Sequence, residues 1–165
     1  MTTLRDRFML EPDVIYFNHG SQGACPRPVF DVYQDWQRTF ARQPVAFGRR
    51  HGDAIHDARR ALADYVGAAP DNLVYVINAT MGINIVARAL CLSPEDEVLS
   101  TDHEYGAIER AWQLNCDKQG ARYVRQPIPT PITSADEVVE AIWAGVTPRT
   151  RVLALSHITS PTAWI

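Results

Sequence analysis

The apolar and polar positions of this chain alternate between two periods, and the change of period marks its elements. Leu73-Val74-Tyr75-Val76-Ile77 is a short run of β-branched and aromatic residues of the kind that fits a buried strand. It turns through Asn78-Ala79-Thr80 into Met81 to Leu90, where Met81, Ile85, Ala89 and Val86 share one helical face. The same unit recurs downstream. Glu97 to Thr101 reads as a second strand, followed by a helix to about Gln119 carrying Ile108, Ala111, Trp112 and Leu114, with Gly120 as its stop. Arg122 to Arg125 reads as a third strand. Pro127, Pro129 and Pro131 stiffen the connection to a helix that Ser134 caps, with Glu137 as capping-box partner and Val138, Val139, Ile142 and Trp143 as its apolar side. Val152 to Leu155 is the fourth strand. Strands separated by helices of this length imply right-handed crossovers and a mainly parallel α/β sheet.

The first seventy residues read differently. Residues 1–13 form an arm, and Val14 to Phe17 is a short strand candidate leading into the polar loop Asn18 to Ala24. Cys25-Pro26-Arg27-Pro28 opens a helix whose face is Val29, Tyr33, Trp36 and Phe40. The stretch Arg42 to Arg50 breaks it. A second helix is expected from about Gly52 to Val66, with Ile55, Ala58, Leu62 and Tyr65 or Val66 inward and Gly67 as its stop.

Composition adds limits. The 165 residues suffice for a real core, and 46% apolar with 21% charged residues is ordinary for a water-soluble globular protein. A net charge of −3 gives no general attraction to nucleic acid or anionic membrane. No apolar run approaches a membrane span, and the charged N-terminus lacks the apolar core of a signal peptide, so a cytoplasmic location is expected. Cys25, Cys91 and Cys116 form no CxxC pair and are expected to be lone buried thiols. The five histidines contain no HxxxH pair, so no metal site is expected. The basic residues are fifteen arginines and one lysine, Lys118.

In open parallel sheets ligands bind beyond the carboxyl ends of the strands. Three clusters follow strands here: Asn78-Ala79-Thr80, Asp102-His103-Glu104-Tyr105, and Ser156-His157-Ile158-Thr159-Ser160. The first opens a helix, whose free N–H groups and dipole favour a phosphate. Together they suit a flat phosphorylated heterocycle. Neither GxGxxG nor a P-loop motif is present.

The runs NATMGIN at 78–84, TDHEYGAIERAW at 101–112 and SHITSPTA at 156–163 resemble those of class V aminotransferase-like, fold-type I enzymes, and the isopenicillin-N-epimerase-like group above all. FNHGSQGACP at 17–26 and RQPVAFGRR at 42–50 fit the same group. The resemblance implies a partial three-layer α/β/α large domain, mainly parallel, with residues 1–50 as arm and first helix and residues 51–165 as the N-terminal part of a cofactor-binding domain. It implies pyridoxal 5'-phosphate as cofactor. Ala79 and Thr80 would then hold its phosphate. Tyr105 falls where the family stacks a side chain on the pyridine ring, with His103 as second choice. Thr159, or Ser160 beside it, falls where a donor reaches the phenolic oxygen. Asn18, His19, Gly20 and Ser21 correspond to a loop on the substrate side. The arginines of 42–50 would reach either a substrate carboxylate or a partner subunit, since such enzymes are typically homodimers.

The implied reaction acts on an amino acid or a derivative through an external aldimine. Epimerisation, transamination, desulfuration and β-elimination share that start, and the motifs do not separate them. Family members continue past this point with an aspartate for the pyridine nitrogen, the Schiff-base lysine and a small domain. The sequence ends on Ala163-Trp164-Ile165, soon after the fourth strand, and Lys118 is a poor substitute. These residues are therefore expected to be an N-terminal portion without turnover alone. The alternative expectations are a catalytically silent truncated copy acting as a binding or assembly protein, and a binder of another phosphate ligand.

Overall fold

A computed structural model describes residues 3–165; Met1 and Thr2, the first two residues of the expected arm, lie outside the described residues. The chain divides into two compact units, Met1–Val74 and Tyr75–Ile165.

The first unit is helical. Leu4–Arg7 forms a 3-10 turn. The guanidinium of Arg5 gathers the arm by donating to the carbonyls of Glu11, Pro12 and Val14. Helix α1 spans Arg27–Arg42 and α2 spans Pro44–Val66. Only Gln43 separates them, so the expected break across 42–50 narrows to that one residue and α2 starts eight residues before Gly52. Proline explains both facts. Pro44 pushes the preceding Gln43 out of helical geometry, to φ −150° and ψ 73°, yet fits a helix's first turn, where its missing N–H costs nothing. Phe47, on the second turn of α2, meets Trp36 and Phe40 edge-on at 5.9 and 5.4 Å. The expected inward face of α2 is nonetheless not inward, and the apolar face of α1 is not covered. Val29, Tyr33, Trp36 and Phe40 on α1, and Ile55, Ala58, Leu62, Tyr65 and Val66 on α2, all stay exposed, and Ala63 is the buried residue of α2. Val14 to Phe17 forms no strand.

The second unit is the α/β part. Its sheet has strands β1 (Glu97–Thr101), β2 (Arg122–Gln126) and β3 (Thr150–Leu153) in the order β2-β1-β3, with both pairings parallel. Helices α3 (Ala79–Ala89), α4 (Gly106–Gln119) and α5 (Ala135–Ala144) complete it. Central β1 is buried along its whole length. Successive side chains of a strand face opposite ways. Val98 accordingly joins Ala87, Leu92, Trp112 and Cys116 in the core, which Ile83, Leu90, Ile108, Tyr123 and Val152 extend. Leu99 points to the other face, where its Cδ1 lies against the Cα of Gly145, the residue after α5. Helix α4, with α3 packed against it, covers the first face; on the other, Leu153 beside Leu99 stays 47% exposed.

Two expectations fail in this unit. Leu73 to Ile77 is not a strand. It is extended at Leu73 (φ −110°, ψ 135°), but no strand pairs with it among the described residues, and Val74 and Ile77 are 81% and 84% exposed. Strand propensity needs a neighbouring ladder to become a strand. The inward face of α3 is also not Met81, Ile85, Ala89 and Val86, which are exposed, but Ile83, Ala87 and Leu90. Both sets have helical spacing in an almost wholly apolar segment, so periodicity alone could not choose between them. The fourth expected strand, Val152 to Leu155, is observed two residues earlier as β3. On α4, Leu114 is exposed while Asn115 and Cys116 are buried; on α5, Val138 is buried while Val139 and Trp143 are exposed.

The chain punctuation is as the sequence suggests. Gly67 and Gly120 end α2 and α4 with positive φ, 69° and 73°, in the left-handed region where a side chain is disfavoured. Ser134 Oγ accepts the Glu137 N–H at 3.2 Å. Glu137 reaches one residue further back than a capping box requires and accepts from both the N–H and the hydroxyl of Thr133, at 3.1 and 2.6 Å. Those bonds lower the pKa of its carboxyl. Cys25 and Cys91 are exposed, not buried as expected; Cys116 is buried. Among the described residues no helix is long and apolar enough to cross a membrane.

Candidate functional site

The second unit gathers three chain segments at the carboxyl end of its sheet. The first is the start of α3. Asn78 is its N-cap, and its Oδ1 accepts the Met81 N–H at 2.8 Å. Asn78, rather than Thr80, therefore caps the helix. Among the described residues the N–H groups of Ala79 and Thr80 have no acceptor, as the first turn of a helix dictates. Two free N–H groups and the Thr80 hydroxyl stand at the positive end of this helix.

The second segment follows β1. The Thr101 hydroxyl accepts the His103 N–H at 3.2 Å, which turns the chain sharply out of the strand. Asp102 Oδ1 accepts the Ile128 N–H at 2.9 Å and so holds the start of the proline-rich connection. His103 is buried. Its Nδ1 lies 3.2 Å from Thr162 Oγ1 and its Nε2 lies 3.8 Å from Asp102 Oδ1. Tyr105 is the N-cap residue of α4, and its carbonyl accepts from Ile108 and Glu109 at 2.8 and 3.1 Å. The residue is 55% exposed. Position and exposure leave the Tyr105 ring free to meet a ligand face, whereas the His103 imidazole is already engaged.

The third segment follows β3. The Ser160 N–H donates to the His103 carbonyl at 3.0 Å, joining this loop to the second segment. Thr159 closes a tight turn: its Oγ1 accepts the Trp164 N–H at 2.8 Å and lies 2.8 Å from Thr162 Oγ1. The Ser160 side chain is exposed and bonds to no other protein group among the described residues. Of the two alternatives at this place, Ser160 has the freer hydroxyl.

A cavity of about 390 Å³ lies where these segments approach. Ala79 and Ile83 of α3, Glu104 beyond β1, Ile108 and Trp112 of α4, and Leu153 at the end of β3 with Ala154 to Ser156 after it form its wall. The wall is mostly apolar, with Glu104 and Ser156 as its polar side chains. Neither was a site candidate in the sequence. Both sit inside the strand-end clusters, but nothing in one dimension distinguishes Glu104 from Asp102 as the acid that faces the other loop.

The loop Asn18 to Ser21 belongs to the first unit. Gln22 N–H closes it onto the Asn18 carbonyl at 2.9 Å. The His19 ring stands edge-on to Tyr16 at 4.9 Å, and its Nδ1 accepts the Ala24 N–H at 3.4 Å. Gly20 and Ser21 are exposed. Arg42, Arg49 and Arg50 are exposed on α1 and α2 and form no ion pair among the described residues.

A sheet of parallel strands flanked by helices, with a phosphate-competent helix terminus and an aromatic ring on one rim, belongs to the α/β class of cofactor-binding folds. The solved structures that resemble it fit that class. A C-DES mutant described as having glycine covalently linked to its PLP cofactor matches with a TM-score of 0.83 and 25% identity, over 96% of this chain and 42% of that one. The cystine C-S lyase C-DES in complex with cysteine persulfide matches with a TM-score of 0.80, over 90% of this chain and 39% of that one. The family model "Aminotransferase class-V" matches residues 21–162, and the chain belongs to that family. Isopenicillin N epimerase of Amycolatopsis lactamdurans is 37% identical over 98% of this chain, and that of Streptomyces clavuligerus 32% over 98%. A probable chloroplastic L-cysteine desulfhydrase of Arabidopsis thaliana is 27% identical over 91%. The chain spans about two fifths of the epimerases, 41% of each.

Proposed function

We propose that these residues build the phosphate-binding and ring-binding side of a pyridoxal-phosphate enzyme that acts on an amino acid or an amino-acid derivative. The observation that carries the reading is that the start of α3 and the loops after β1 and β3 each contribute to the wall of one cavity. Of the residues assigned to the cofactor, Ala79 lines that cavity, whereas Thr80, His103, Tyr105, Thr159 and Ser160 do not. The free N–H groups of Ala79 and Thr80, with the Thr80 hydroxyl, suit a phosphate dianion at a helix terminus. The exposed Tyr105 ring suits the flat face of a pyridine, and Ser160 or Thr159 offers a hydroxyl to its phenolic oxygen. The cavity wall beside Ala79 is mostly apolar, which suits the flat body of such a ligand. What pyridoxal phosphate supplies when bound is an electron sink for a bond breaking at the α-carbon of an amino acid.

The residues present hold and orient; they do not supply an amine. Lys118 stands twelve residues along α4 from the rim at Gly106, roughly 18 Å away at the helical rise. Such chemistry requires an amine, and none of the residues on this rim supplies one. Epimerase-type chemistry is the favoured reaction class, supported by the likeness to the two epimerases; β-elimination of the desulfhydrase type is the alternative that the Arabidopsis relative supports. The exposed apolar stripes of α1 and α2 support a further reading in which a second copy of the protein covers them in a homodimer.

The test is a binding titration of the full-length native protein with pyridoxal phosphate and with inorganic phosphate. Tyr105→Ala should weaken cofactor binding about tenfold, the order expected for one lost aromatic stack, and leave phosphate binding unchanged. Equal loss of both would remove the platform role. No binding of pyridoxal phosphate by the parent protein would remove the reading altogether.

A further inference from the structure

Glu104 is the polar hub of the cavity wall, and none of the roles above employs it. Its neighbours define what it does. Oε1 accepts the Ser156 N–H at 3.0 Å and lies 3.3 Å from the Thr101 hydroxyl, while Oε2 accepts the Ser156 hydroxyl. Thr101 ends β1, and Ser156 lies three residues beyond the end of β3, so 52 positions separate Glu104 from Ser156 along the chain. The carboxylate therefore spans the gap between two loops that no strand pairing joins at that height. Thr101 Oγ1 is shared, since it also accepts the His103 N–H. A second tie runs parallel to the first: Ser160 N–H to the His103 carbonyl at 3.0 Å, with Thr162 Oγ1 at 3.2 Å from the His103 ring. That tie holds the far end of the loop, and Glu104 holds its near end.

We propose that Glu104 is a positioning residue for the cofactor site: its carboxylate clamps the loop after β1, which carries Tyr105, to the loop after β3, which carries Thr159 and Ser160. This rests on the cofactor reading given above. Tyr105 is the next residue in the chain, so the backbone that Glu104 fixes is the backbone that aims the ring. Ser156 is the first anchored residue of the loop that presents Thr159 and Ser160. Releasing the clamp leaves α3 and its free N–H groups in place but lets the ring platform and the hydroxyl donors move apart. A ligand that uses all three should weaken, and one that uses the helix terminus alone should not.

The three bonds also say which substitution preserves the clamp. Glutamine can accept the Ser156 N–H and the Thr101 hydroxyl through its oxygen and donate to the Ser156 hydroxyl through its amide. Glu104→Gln should therefore keep the geometry without the charge, and Glu104→Ala should lose it. Ser156→Ala removes one bond only and keeps the N–H contact.

The experiment uses the full-length native protein and has two readouts. Amide hydrogen exchange over residues 154–160 should quicken about tenfold in Glu104→Ala, stay at the parent rate in Glu104→Gln and fall between them in Ser156→Ala. Pyridoxal phosphate affinity should drop about tenfold in Glu104→Ala and recover in Glu104→Gln, with inorganic phosphate binding equal in all four proteins. Unchanged exchange in Glu104→Ala overturns the clamp. Faster exchange with unchanged cofactor affinity overturns its role in positioning. Loss in Glu104→Gln equal to that in Glu104→Ala shows that charge matters and also overturns it. A parent protein that binds no pyridoxal phosphate overturns the cofactor reading and the positioning role that rests on it, while the exchange rates still decide whether the clamp exists. If Glu104→Ala does not fold, Ser156→Ala and Glu104→Gln carry the same comparison.

Discussion

The opposite end of the sheet offers the sharpest test of how this fold is held. Glu97 opens β1 with its side chain 3% exposed, an isolated position for a carboxylate. Oε2 accepts the Thr147 hydroxyl at 2.6 Å, and Oε1 accepts from Arg149 Nε and Nη2 at 3.0 and 2.6 Å. Arg122 Nη1 of β2 stands 3.8 Å away. The acid thus joins the starts of β2 and β3 to the central strand. Glu97→Gln keeps the size and one good acceptor but removes the charge. Hydrogen bonds to a charged group exceed neutral ones by about 1 kcal/mol each, and two go to Arg149. Arg149 is half exposed and Arg122 more so, which screens part of the gain. The expected loss at neutral pH is about 1 to 2 kcal/mol. At a urea m-value of about 2 kcal/mol/M that is a midpoint shift of roughly 0.5 to 1 M. The pH dependence separates this account from a packing effect. The Thr147 and Arg149 bonds hold the Glu97 carboxyl below the usual glutamate range. A lowered pKa in the folded state means that the stabilisation is complete above the unfolded value and is lost as pH falls through the folded one. The gap between parent and variant should therefore narrow as pH falls below about 4.3, the unfolded glutamate value. A gap that stays constant below that value, or no gap at neutral pH, would refute the reasoning.

Three further outcomes follow from the same coordinates. Asn78→Ala removes the cap of α3 and should cost about 1 kcal/mol, read as a fall in Tm of a few degrees, with Asn78→Ser retaining most of it. Gly145→Ala should cost about 1 kcal/mol in urea unfolding: its Cβ would sit 2.7 Å from Gln126 Oε1, a side-chain tip that can move aside, and 2.9 Å from Cδ1 of the buried Leu99. A thiol reagent should label Cys25 and Cys91 in the folded protein and reach Cys116 only on unfolding, since burial both covers the Cys116 thiol and raises its pKa. Mass spectrometry of the labelled protein counts the sites, and early labelling of Cys116 would contradict its place in the core.

Local chemistry was legible where one residue decides the outcome. Gly67, Gly120 and Ser134 end or begin helices where the sequence places those events, because a left-handed φ or a side-chain acceptor is a property of a single residue. Pairing was not legible. Leu73 to Ile77 carries a stronger strand signature than Glu97 to Thr101, yet the latter is the central strand and the former is unpaired. Propensity describes a residue's fit to a pleated surface, and only a neighbour at hydrogen-bonding distance makes that surface. The helix faces failed for a related reason. Val29, Tyr33, Trp36 and Phe40 do share a face of α1, but periodicity names a face without saying what covers it.

The site divides along the same line. That Asp102 to Tyr105 and Ser156 to Ser160 would meet follows from parallel strands ending on one side; Asn78 to Thr80 follows no strand, yet it too contributes a residue to the cavity wall. What the sequence could not supply is the wiring among them. Thr159 and Ser160 look equivalent on paper, yet the turn to Trp164 engages the first and leaves the second free. His103 and Tyr105 are two residues apart at the mouth of the same helix, yet one ring is buried against Thr162 and the other faces outward. Glu104 between them reaches across to Ser156, 52 residues away, and that distance is why it is invisible to motif reading. A strand-end cluster therefore states which residues compete for a site. The bonds between clusters decide which of them take the ligand and which hold the others in place.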